Sequence, residues 1–229
     1  MNSNVTVVLT SCNRPNELYK TLESFFKFNT YPIKKIIIID DSGVKNCIDN
    51  CLEIIPISKE IIYNETNIGQ IASIDKAYSL VDTEYIFHCE DDWEFYNYGF
   101  IEKSLEILEE NNKILCVWLR EYKNFIVVQN GHKVIPNIYN NKYRLMDVFR
   151  ERSNIWNGFT FNPGLRRLKD YKLIMPYVQY INSKECNCGG VEQALSNIYC
   201  QKGFLSAITL NENGFVKHIG WDNPTKREY

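Results

Sequence analysis

The chain has 229 residues, of which 45% are hydrophobic and 24% are charged. These proportions are typical of a soluble globular protein that buries a core of useful size. The formal net charge of -2 at pH 7 argues against general nucleic-acid binding, which normally needs a basic face. The short basic cluster of Arg166, Arg167 and Lys169 is interpreted as a solvated helix face.

The chain carries no pattern that predicts secretion or membrane insertion. The N-terminal Met-Asn-Ser-Asn leads directly into the apolar run Val5–Leu9 without a charged segment before it. The longest aliphatic run, Ile36–Ile39, is too short to span a bilayer. We therefore expect a soluble, intracellular, cytoplasmic protein without a transmembrane segment. Its eight cysteines are then expected to be reduced thiols. The pairs Cys47/Cys51 and Cys186/Cys188 are weak candidates for zinc because their spacing is not CxxC.

Apolar runs of strand length alternate with amphipathic stretches through the first half. The first run, Val5–Thr10, is followed by Asn13-Arg14-Pro15, a turn that also signals a helix start. Lys35–Asp40 contains four consecutive isoleucines, which favours a parallel strand covered on both faces. Further predicted strands are Ile61–Tyr63, Tyr85–Cys89 and Ile114–Leu119, and further predicted helices are Ile71–Leu80 and Phe100–Leu108. This alternation predicts βαβ units and a parallel sheet.

The second half is less regular and mixes aromatic segments with Asn, Gly and Pro. A helix is predicted near Val191–Tyr199, and short strands near Leu205–Leu210 and Phe215–Ile219. No repeat, low-complexity linker or clear boundary divides the chain. We therefore predict a single domain over residues 1–229, of the α/β class. It would have a mostly parallel central sheet flanked by helices, and an α+β extension.

Polar residues follow three of the predicted strands, at the point where each strand ends. They are Thr10–Pro15, Asp40–Gly43 and Glu90–Trp93. In an open parallel sheet, ligands bind beyond the carboxyl ends of the strands, where the strand order reverses. Three polar ends at one edge therefore predict a binding site, although any one of them alone fits a capped turn.

The acidic triplet Glu90-Asp91-Asp92 suggests a cation site. Three adjacent carboxylates repel one another unless water or a cation screens them. Mg²⁺ or Mn²⁺ would bind these oxygens and keep positions for two phosphate oxygens of a departing diphosphate. The alternative is a solvated acidic loop. Asp40 and Asp41 can accept hydrogen bonds from a ribose hydroxyl or from the N3–H of uracil, or they can form a plain turn.

Four segments resemble family 2 glycosyltransferases, in the expected order over about the first 120 residues. They are Val5–Pro15, Ile37–Gly43, the Asn-x-Gly segment Asn67-Ile68-Gly69-Gln70, and Ile86–Asp92, which ends like a DxD metal motif. The resemblance implies a GT-A fold, a nucleoside diphosphate sugar donor with UDP favoured, and a divalent metal. It also implies an acceptor hydroxyl on a glycan or glycoconjugate, and usually inversion at the anomeric carbon. On this interpretation residues 1–120 bind the donor and metal, and residues 121–229 form the acceptor side.

The resemblance also suggests roles for individual residues. Asp92 would be the main metal ligand, with Glu90 in the first acidic place of the motif. The predicted nucleotide-binding residues are Thr10, Asn13, Arg14, Asp40, Asp41, Asn67, Gln70 and Asp91. One departure concerns the helix after Asn-x-Gly, where many family members carry an arginine. Here the matching stretch is Ser73-Ile74-Asp75, and Lys76 is the candidate substitute.

The resemblance places a catalytic base at the start of a helix after a glycine-containing loop. Cys188–Gln193 fits this description, and Glu192 would take the acceptor proton. The alternative is that Glu192 only complements the helix dipole, and Asp147 and Asp170 are the reserve candidates. Gly190 would let the backbone approach the sugar closely.

Two further features of the second half are candidate site residues. His218 resembles the histidine that completes the metal shell in many GT-A enzymes, although a lone histidine after a strand is often structural. The aromatic segment Trp156–Gly164 could contact the donor sugar or the acceptor, or it could pack in the core. Its candidate contact residues are Trp156, Asn157, Gly158 and Phe159.

The sequence thus predicts an inverting, metal-dependent glycosyltransferase. A sugar nucleotidyltransferase is a weaker alternative, because such enzymes usually carry a glycine-rich loop after the first strand. Thr10–Pro15 contains no glycine. A non-catalytic nucleotide-sugar or glycan-binding module is the other alternative, and the missing arginine favours it.

Overall fold

The computed structural model describes residues 3–121, 127–129, 132–134, 137–145, 158–181 and 190–220. The strands in these residues are β1 (Val5–Ser11), β2 (Lys35–Asp40), β3 (Lys59–Tyr63), β4 (Tyr85–Glu90), β5 (Trp93–Phe95), β6 (Ile114–Trp118), β7 (Val127–Gln129), β8 (His132–Val134), β9 (Asn137–Ile138), β10 (Tyr143–Leu145), β11 (Gly164–Arg167), β12 (Leu205–Thr209) and β13 (Val216–His218). The α-helices are α1 (Pro15–Phe28), α2 (Gln70–Tyr78), α3 (Phe100–Glu110), α4 (Leu168–Lys172) and α5 (Gly190–Gln201). Two 3₁₀ helices span Asp49–Ile54 and Tyr177–Tyr180.

The central sheet has the strand order β11-β4-β1-β2-β3. Strands β4, β1, β2 and β3 are parallel, and β11 joins β4 antiparallel at one edge. The four isoleucines of β2 are fully buried, as expected for a strand covered on both faces. The prediction of a mostly parallel sheet flanked by helices is confirmed.

Hydrophobic residues cover both faces of this sheet. Because successive side chains of a strand point to opposite faces, Ile36 and Ile38 enter one core and Ile37 and Ile39 enter the other. Helices α1 and α3 cover the first face with the buried residues Leu18, Leu22, Phe25, Phe100 and Leu108. Helix α2 covers the second face with Ile71, Ile74 and Tyr78, together with aromatic residues of the second half.

The other strands form smaller sheets. Strands β6, β12, β10 and β9 make a second sheet, in which the predicted strand beginning at Ile114 pairs parallel with β12. Strands β5 and β13 form a two-stranded antiparallel ribbon that places His218 opposite Trp93. The sequence predicted β13 but not β5, and only the pairing brings β13 next to the acidic triplet.

The prediction of a solvated helix face was wrong for Arg166 and Arg167. Both lie on β11 and are 2% exposed, whereas Lys169 on α4 is exposed. Arg167 donates hydrogen bonds to the carbonyls of Leu108, Asn111 and Ile114 and pairs with Asp170 at 2.9 Å. The free carbonyls at the end of α3 need such donors, which accounts for the burial of Arg167.

The cysteines of the described residues are free thiols: Cys12, Cys47, Cys51, Cys89, Cys116 and Cys200. Cys186 and Cys188 lie outside the described residues. Across the described ranges, no helix has the length and apolarity needed to cross a bilayer.

Candidate functional site

The three polar strand ends converge at one edge of the central sheet. In the parallel registers, Ser11 of β1 lies opposite Asp40 of β2, and Thr10 lies opposite Glu90 of β4. Strand β1 lies between the other two, so all three carboxyl ends meet there. The structure brings these segments together as the sequence predicted.

Asp40 and Asp41 are both buried, and donors of the chain itself surround their carboxylates. Asp40 accepts hydrogen bonds from the backbone N–H of Asn13 and of Ser42, each at 3.0 Å. Asp41 accepts from Ile68 N–H at 2.9 Å and Gly69 N–H at 2.8 Å, and from the Asn64 side chain at 2.8 Å. A carboxylate offers about four acceptor positions. Most of these positions are filled by groups of the chain itself. Asp40 and Asp41 therefore fix the loops at this edge of the sheet.

The Asn-x-Gly segment crosses the edge toward β1 and β4. Asn67 donates to the Cys12 thiol at 3.6 Å, and Gln70 donates to Glu90 Oε1 at 2.5 Å. Gly69, with a φ of 88°, precedes the first residue of α2. Lys76, the candidate substitute for the missing arginine, instead donates to Asn64 Oδ1 at 2.8 Å.

Asp91 is buried and anchors the loop that follows β1. Its carboxylate accepts hydrogen bonds from Ser11 Oγ at 2.9 Å and Cys12 N–H at 3.3 Å, and it pairs with Arg14 at 3.1 Å. Thr21 of α1 donates to the Asp91 carbonyl at 2.7 Å. Burial raises the pKa of Asp91 to about 7, and the Arg14 charge opposes this rise.

Asp92 lies between Arg14 and His218. Its Oδ2 accepts from Arg14 Nη1 at 2.8 Å and lies 3.1 Å from His218 Nε2. Oδ1 is buried and receives no hydrogen bond from the described residues. Gly220 packs against the same carboxylate, where an added Cβ would lie 2.3 Å from Oδ2. A side chain at position 220 would therefore displace the Asp92 carboxylate or the Arg14 guanidinium.

Glu90 accepts hydrogen bonds on both of its carboxylate oxygens. Its Oε1 accepts from Gln70, and its Oε2 accepts from the Trp93 indole N–H at 3.2 Å. Burial, followed by the charge of Asp92, raises the pKa of Glu90 to about 8, and the charges of Glu192 and Asp91 add to the rise. Glu90 is thus close enough to both Asp92 and Glu192 to respond to their charges.

The predicted metal ligands are only partly assembled. Asp92 and His218 are adjacent, but no group of three His, Cys, Asp or Glu residues in the described part of the chain is arranged to hold a metal ion. The donors themselves suit Mn²⁺ or Mg²⁺, since both ions bind carboxylate oxygen and Mn²⁺ also accepts imidazole. The unpartnered Asp92 Oδ1 is the feature that best fits such an ion.

Arg14 provides the positive charge at this acidic turn. Its Nη1 contacts both Asp91 and Asp92. Its Nε and Nη2 are buried, and no described residue accepts a hydrogen bond from them. Unpaired buried donors cost about 1–3 kcal/mol each, so these two nitrogens are suited to an anionic ligand.

Glu192 lies in the first turn of α5, where the sequence placed it. Its Oε1 accepts from Thr160 Oγ1 at 3.1 Å and from Phe161 N–H at 2.6 Å, whereas no described residue donates to Oε2. Burial raises the pKa of Glu192, and its two hydrogen bonds and the Arg166 charge act in the opposite direction. One oxygen is therefore held, while the other has no hydrogen-bond donor among the residues that the structure describes.

The aromatic segment contributes mainly to the core. Phe159 is 1% exposed, stacks on Tyr199 with a centroid separation of 5.6 Å, and donates its N–H to Ser196. Gly158 accepts the Trp118 indole N–H at 2.7 Å. Because the ring of Phe159 is covered on all sides, a sugar cannot reach it in this structure. Trp156 and Asn157 lie outside the described residues.

The remaining candidates of the second half differ in position. Gly190 begins α5 with a φ of 74°. Asp170 pairs with Arg167 within the core, so it is a structural carboxylate rather than a reserve base. Asp147 lies outside the described residues.

Sequence reasoning missed several residues that build this site, namely Ser11, Thr21, Thr160, Arg166 and Gly220. One of them carried a usable signal. Thr21 lies three residues after Leu18 on the apolar face of α1, and a hydroxyl there must find a buried partner. It binds the Asp91 carbonyl and accepts the Trp93 N–H at 3.0 Å.

The fold and the strand-end site agree with a comparison with known families. The model of glycosyl transferase family 2 matches residues 6–173, and the chain therefore belongs to this family. No curated protein matches the sequence significantly.

Solved structures share the fold at low sequence identity. GalNAc-T7 with UDP, GalNAc and Mn²⁺ superposes with a TM-score of 0.66 at 15% identity, covering 99% of this chain and 45% of the other. TarS 1–349 of S. aureus in complex with UDP-GlcNAc has a TM-score of 0.61 at 13% identity, covering 96% and 61%. The likeness confirms the GT-A fold. The chain spans less than two thirds of the length of either solved structure.

Proposed function

We propose that the protein transfers a sugar from a nucleotide diphosphate sugar, with UDP favoured, to a hydroxyl of a glycan or glycoconjugate. The transfer would depend on Mn²⁺ or Mg²⁺ and would invert the anomeric carbon. The proposal depends most on the arrangement at the end of β4, where Asp92 lies 2.8 Å from Arg14 and 3.1 Å from His218 and keeps one buried oxygen without a hydrogen-bond donor among the described residues. The Glu192 carboxylate, which Thr160 and Phe161 hold through one oxygen, is the candidate base.

Residues 1–120 would hold the donor. Arg14 Nε and Nη2 are buried donors without an acceptor in the described residues, and diphosphate oxygens would satisfy them. Thr10, Asn13, Asn67 and Gln70 lie along the same edge and would contact the nucleoside. Asp40 and Asp41 would contribute by fixing the two loops that border it.

Asp92 and His218 would hold the divalent ion, with Glu90 close by. When bound, such an ion would neutralise the negative charge that develops on the departing diphosphate. Two fold relatives have been solved in complex with UDP, GalNAc and Mn²⁺ and with UDP-GlcNAc, respectively, which supports the same chemistry here.

Glu192 would deprotonate the acceptor. An in-line displacement with inversion needs one carboxylate to take the hydroxyl proton as the new bond forms. Oε2 is open for that proton, while Thr160 and Phe161 hold Oε1. Residues 121–229 would therefore form the acceptor side.

A panel of UDP, GDP and dTDP sugars, incubated with Mn²⁺ and assayed for nucleotide release and transfer, tests this function. Glu192→Gln should reduce transfer by about 10²–10⁴-fold and leave UDP affinity unchanged. Asp92→Asn should abolish both transfer and donor hydrolysis. Glu212→Gln changes an exposed carboxylate and serves as the matched control. Normal turnover by Glu192→Gln would rule out this base.

One observation favours a non-catalytic nucleotide-sugar-binding module. Arg14 already pairs with both Asp91 and Asp92, and the described residues hold no group of three metal ligands. Calorimetry in which Mn²⁺ leaves UDP affinity unaffected, with no turnover of any donor, would support the module. Release of pyrophosphate instead of UDP would indicate a nucleotidyltransferase.

A further inference from the structure

Arg166 is a buried cation for which the fold gives no simple structural reason. It lies on β11 and is 2% exposed. Its Nε and Nη1 are buried and have no hydrogen-bond acceptor among the described residues. Burying a charge costs several kcal/mol unless its surroundings compensate. The neighbouring Arg167 differs, because it satisfies carbonyls at the end of α3.

Arg166 lies near the Tyr78 side chain, and it contacts every residue of one short segment, residues 159–161. Its Nη2 donates to the Thr160 carbonyl at 3.1 Å. Its guanidinium carbon lies 5.5 Å from the centroid of the Phe159 ring and 6.0 Å from that of Phe161. Cation–π contacts of this kind are strongest where water is excluded. Arg166 therefore contacts each of the three residues in turn.

Two of these three residues, Thr160 and Phe161, hold Glu192. Thr160 binds Glu192 Oε1 through its hydroxyl, and Phe161 binds the same oxygen through its N–H. Arg166 thus binds the carbonyl of Thr160, and the hydroxyl of Thr160 in turn orients the Glu192 carboxylate. Its charge also lowers the pKa of Glu192, against the effect of burial.

We propose that Arg166 is a positioning residue that fixes the segment 159–161 and thereby orients the open oxygen of Glu192 toward the acceptor. This inference rests on the proposed function, in which Glu192 is the base. Arg166 acts through the Thr160 carbonyl and the two phenyl rings.

The test compares Arg166→Met and Arg166→Lys with the wild type in the presence of Mn²⁺ and a donor that the wild type uses. A buried charge without an ionic partner costs several kcal/mol, and an apolar residue of similar volume at position 166 removes that cost, which offsets the lost hydrogen bond to Thr160. We therefore expect Arg166→Met to keep the wild-type melting temperature and UDP Kd. Its kcat should fall by roughly 10–100-fold, because small displacements of a catalytic group cost about that much. KM for the donor should stay within about twofold.

Arg166→Lys keeps the charge and one donor but loses the planar guanidinium that stacks on both rings. Its kcat should lie between those of Arg166→Met and the wild type, with an unchanged melting temperature. Lys169→Met, on the exposed face of α4, is the matched control and should behave as the wild type.

Two outcomes would overturn the proposal. One is a wild-type kcat in Arg166→Met or, where that variant does not fold, in Arg166→Lys. The other is a parallel loss of melting temperature, UDP affinity and kcat, which would make Arg166 merely structural. The variant Glu192→Gln tests separately whether Glu192 is the base and whether Arg166 positions it. If it turns over normally, the base assignment has failed. If it is inactive while Arg166→Met is normal, only the present inference has failed.

Discussion

Asp41 accepts a hydrogen bond from the Gly69 N–H at 2.8 Å, which joins the end of β2 to the start of α2. The second oxygen of Asp41 accepts from Ile68 N–H at 2.9 Å. Asp41 is 27 residues from Ile68 and 28 residues from Gly69 in the chain. Their hydrogen bonds therefore join the end of β2 and the Asn-x-Gly segment into one structural unit. The Asn-x-Gly segment lies beside the strand ends because the carboxylate of Asp41 holds it there.

Asp41→Asn should weaken both the fold and nucleotide binding. An amide offers only one oxygen, so at least one of the two backbone N–H groups would lose its acceptor. This should lower the free energy of unfolding by about 1–3 kcal/mol, measured by urea denaturation, and should raise the UDP Kd. Asp82→Asn, an exposed residue paired with Lys34, is the control and should keep the wild-type stability. Unchanged stability and UDP affinity in Asp41→Asn would contradict this account.

Much of the first half of the fold could be predicted from the sequence because its strands carry strong local patterns. The isoleucines of β2 indicate a strand covered on both faces, and the polar residues after three strands indicate a common edge. Both expectations are confirmed. These features depend on neighbours within a few residues and on a general rule for parallel sheets.

Other features could not be predicted because they depend on distant partners. The ribbon of β5 and β13 consists of two three-residue strands, which are too short to show periodicity. Gly220 packs against Asp92, and no pattern around position 220 indicates that contact. The sequence was interpreted as placing Arg166 and Arg167 on a solvated face, because charged residues are rarely buried without partners. Their partners, such as Leu108 and Thr160, are identified only by the fold.

Arg167→Met should destabilise the protein strongly, in contrast to the effect expected for Arg166→Met. Removal of Arg167 leaves Asp170 as an uncompensated buried charge and takes away the donor that binds the Leu108 carbonyl of α3 and the Ile114 carbonyl of β6. Breaking a buried pair of this kind costs about 3–5 kcal/mol. Urea denaturation should show this loss, whereas Lys169→Met should change stability by less than about 0.5 kcal/mol. Equal stability of the Arg166 and Arg167 variants would mean that the contacts of Arg167 contribute little.

The acidic turn should make the metal-free protein less stable as the pH rises. The pKa of Asp91 is raised from 3.8 to about 7, and that of Glu90 from 4.5 to about 8, chiefly by burial. Between these limits the folded chain binds protons that the unfolded chain has released. Stability therefore falls as the pH rises through this window, by up to about 1.4 kcal/mol per pH unit for each proton.

Urea denaturation of the metal-free protein between pH 5 and pH 8, values chosen to lie roughly within this window, would measure the slope. The slope should be smaller in Asp91→Asn, because the amide at position 91 does not titrate, and smaller again when Glu90→Gln is added. Asp82→Asn is the control and should keep the wild-type slope. Its partner Lys34 lowers the pKa of Asp82, so the carboxylate is ionised in both states throughout the window. A slope unaffected by both substitutions would show that these two carboxyls are ionised in the folded protein at neutral pH. The wild type and the variants share the buried His88, whose lowered pKa adds the same opposite slope to each of them.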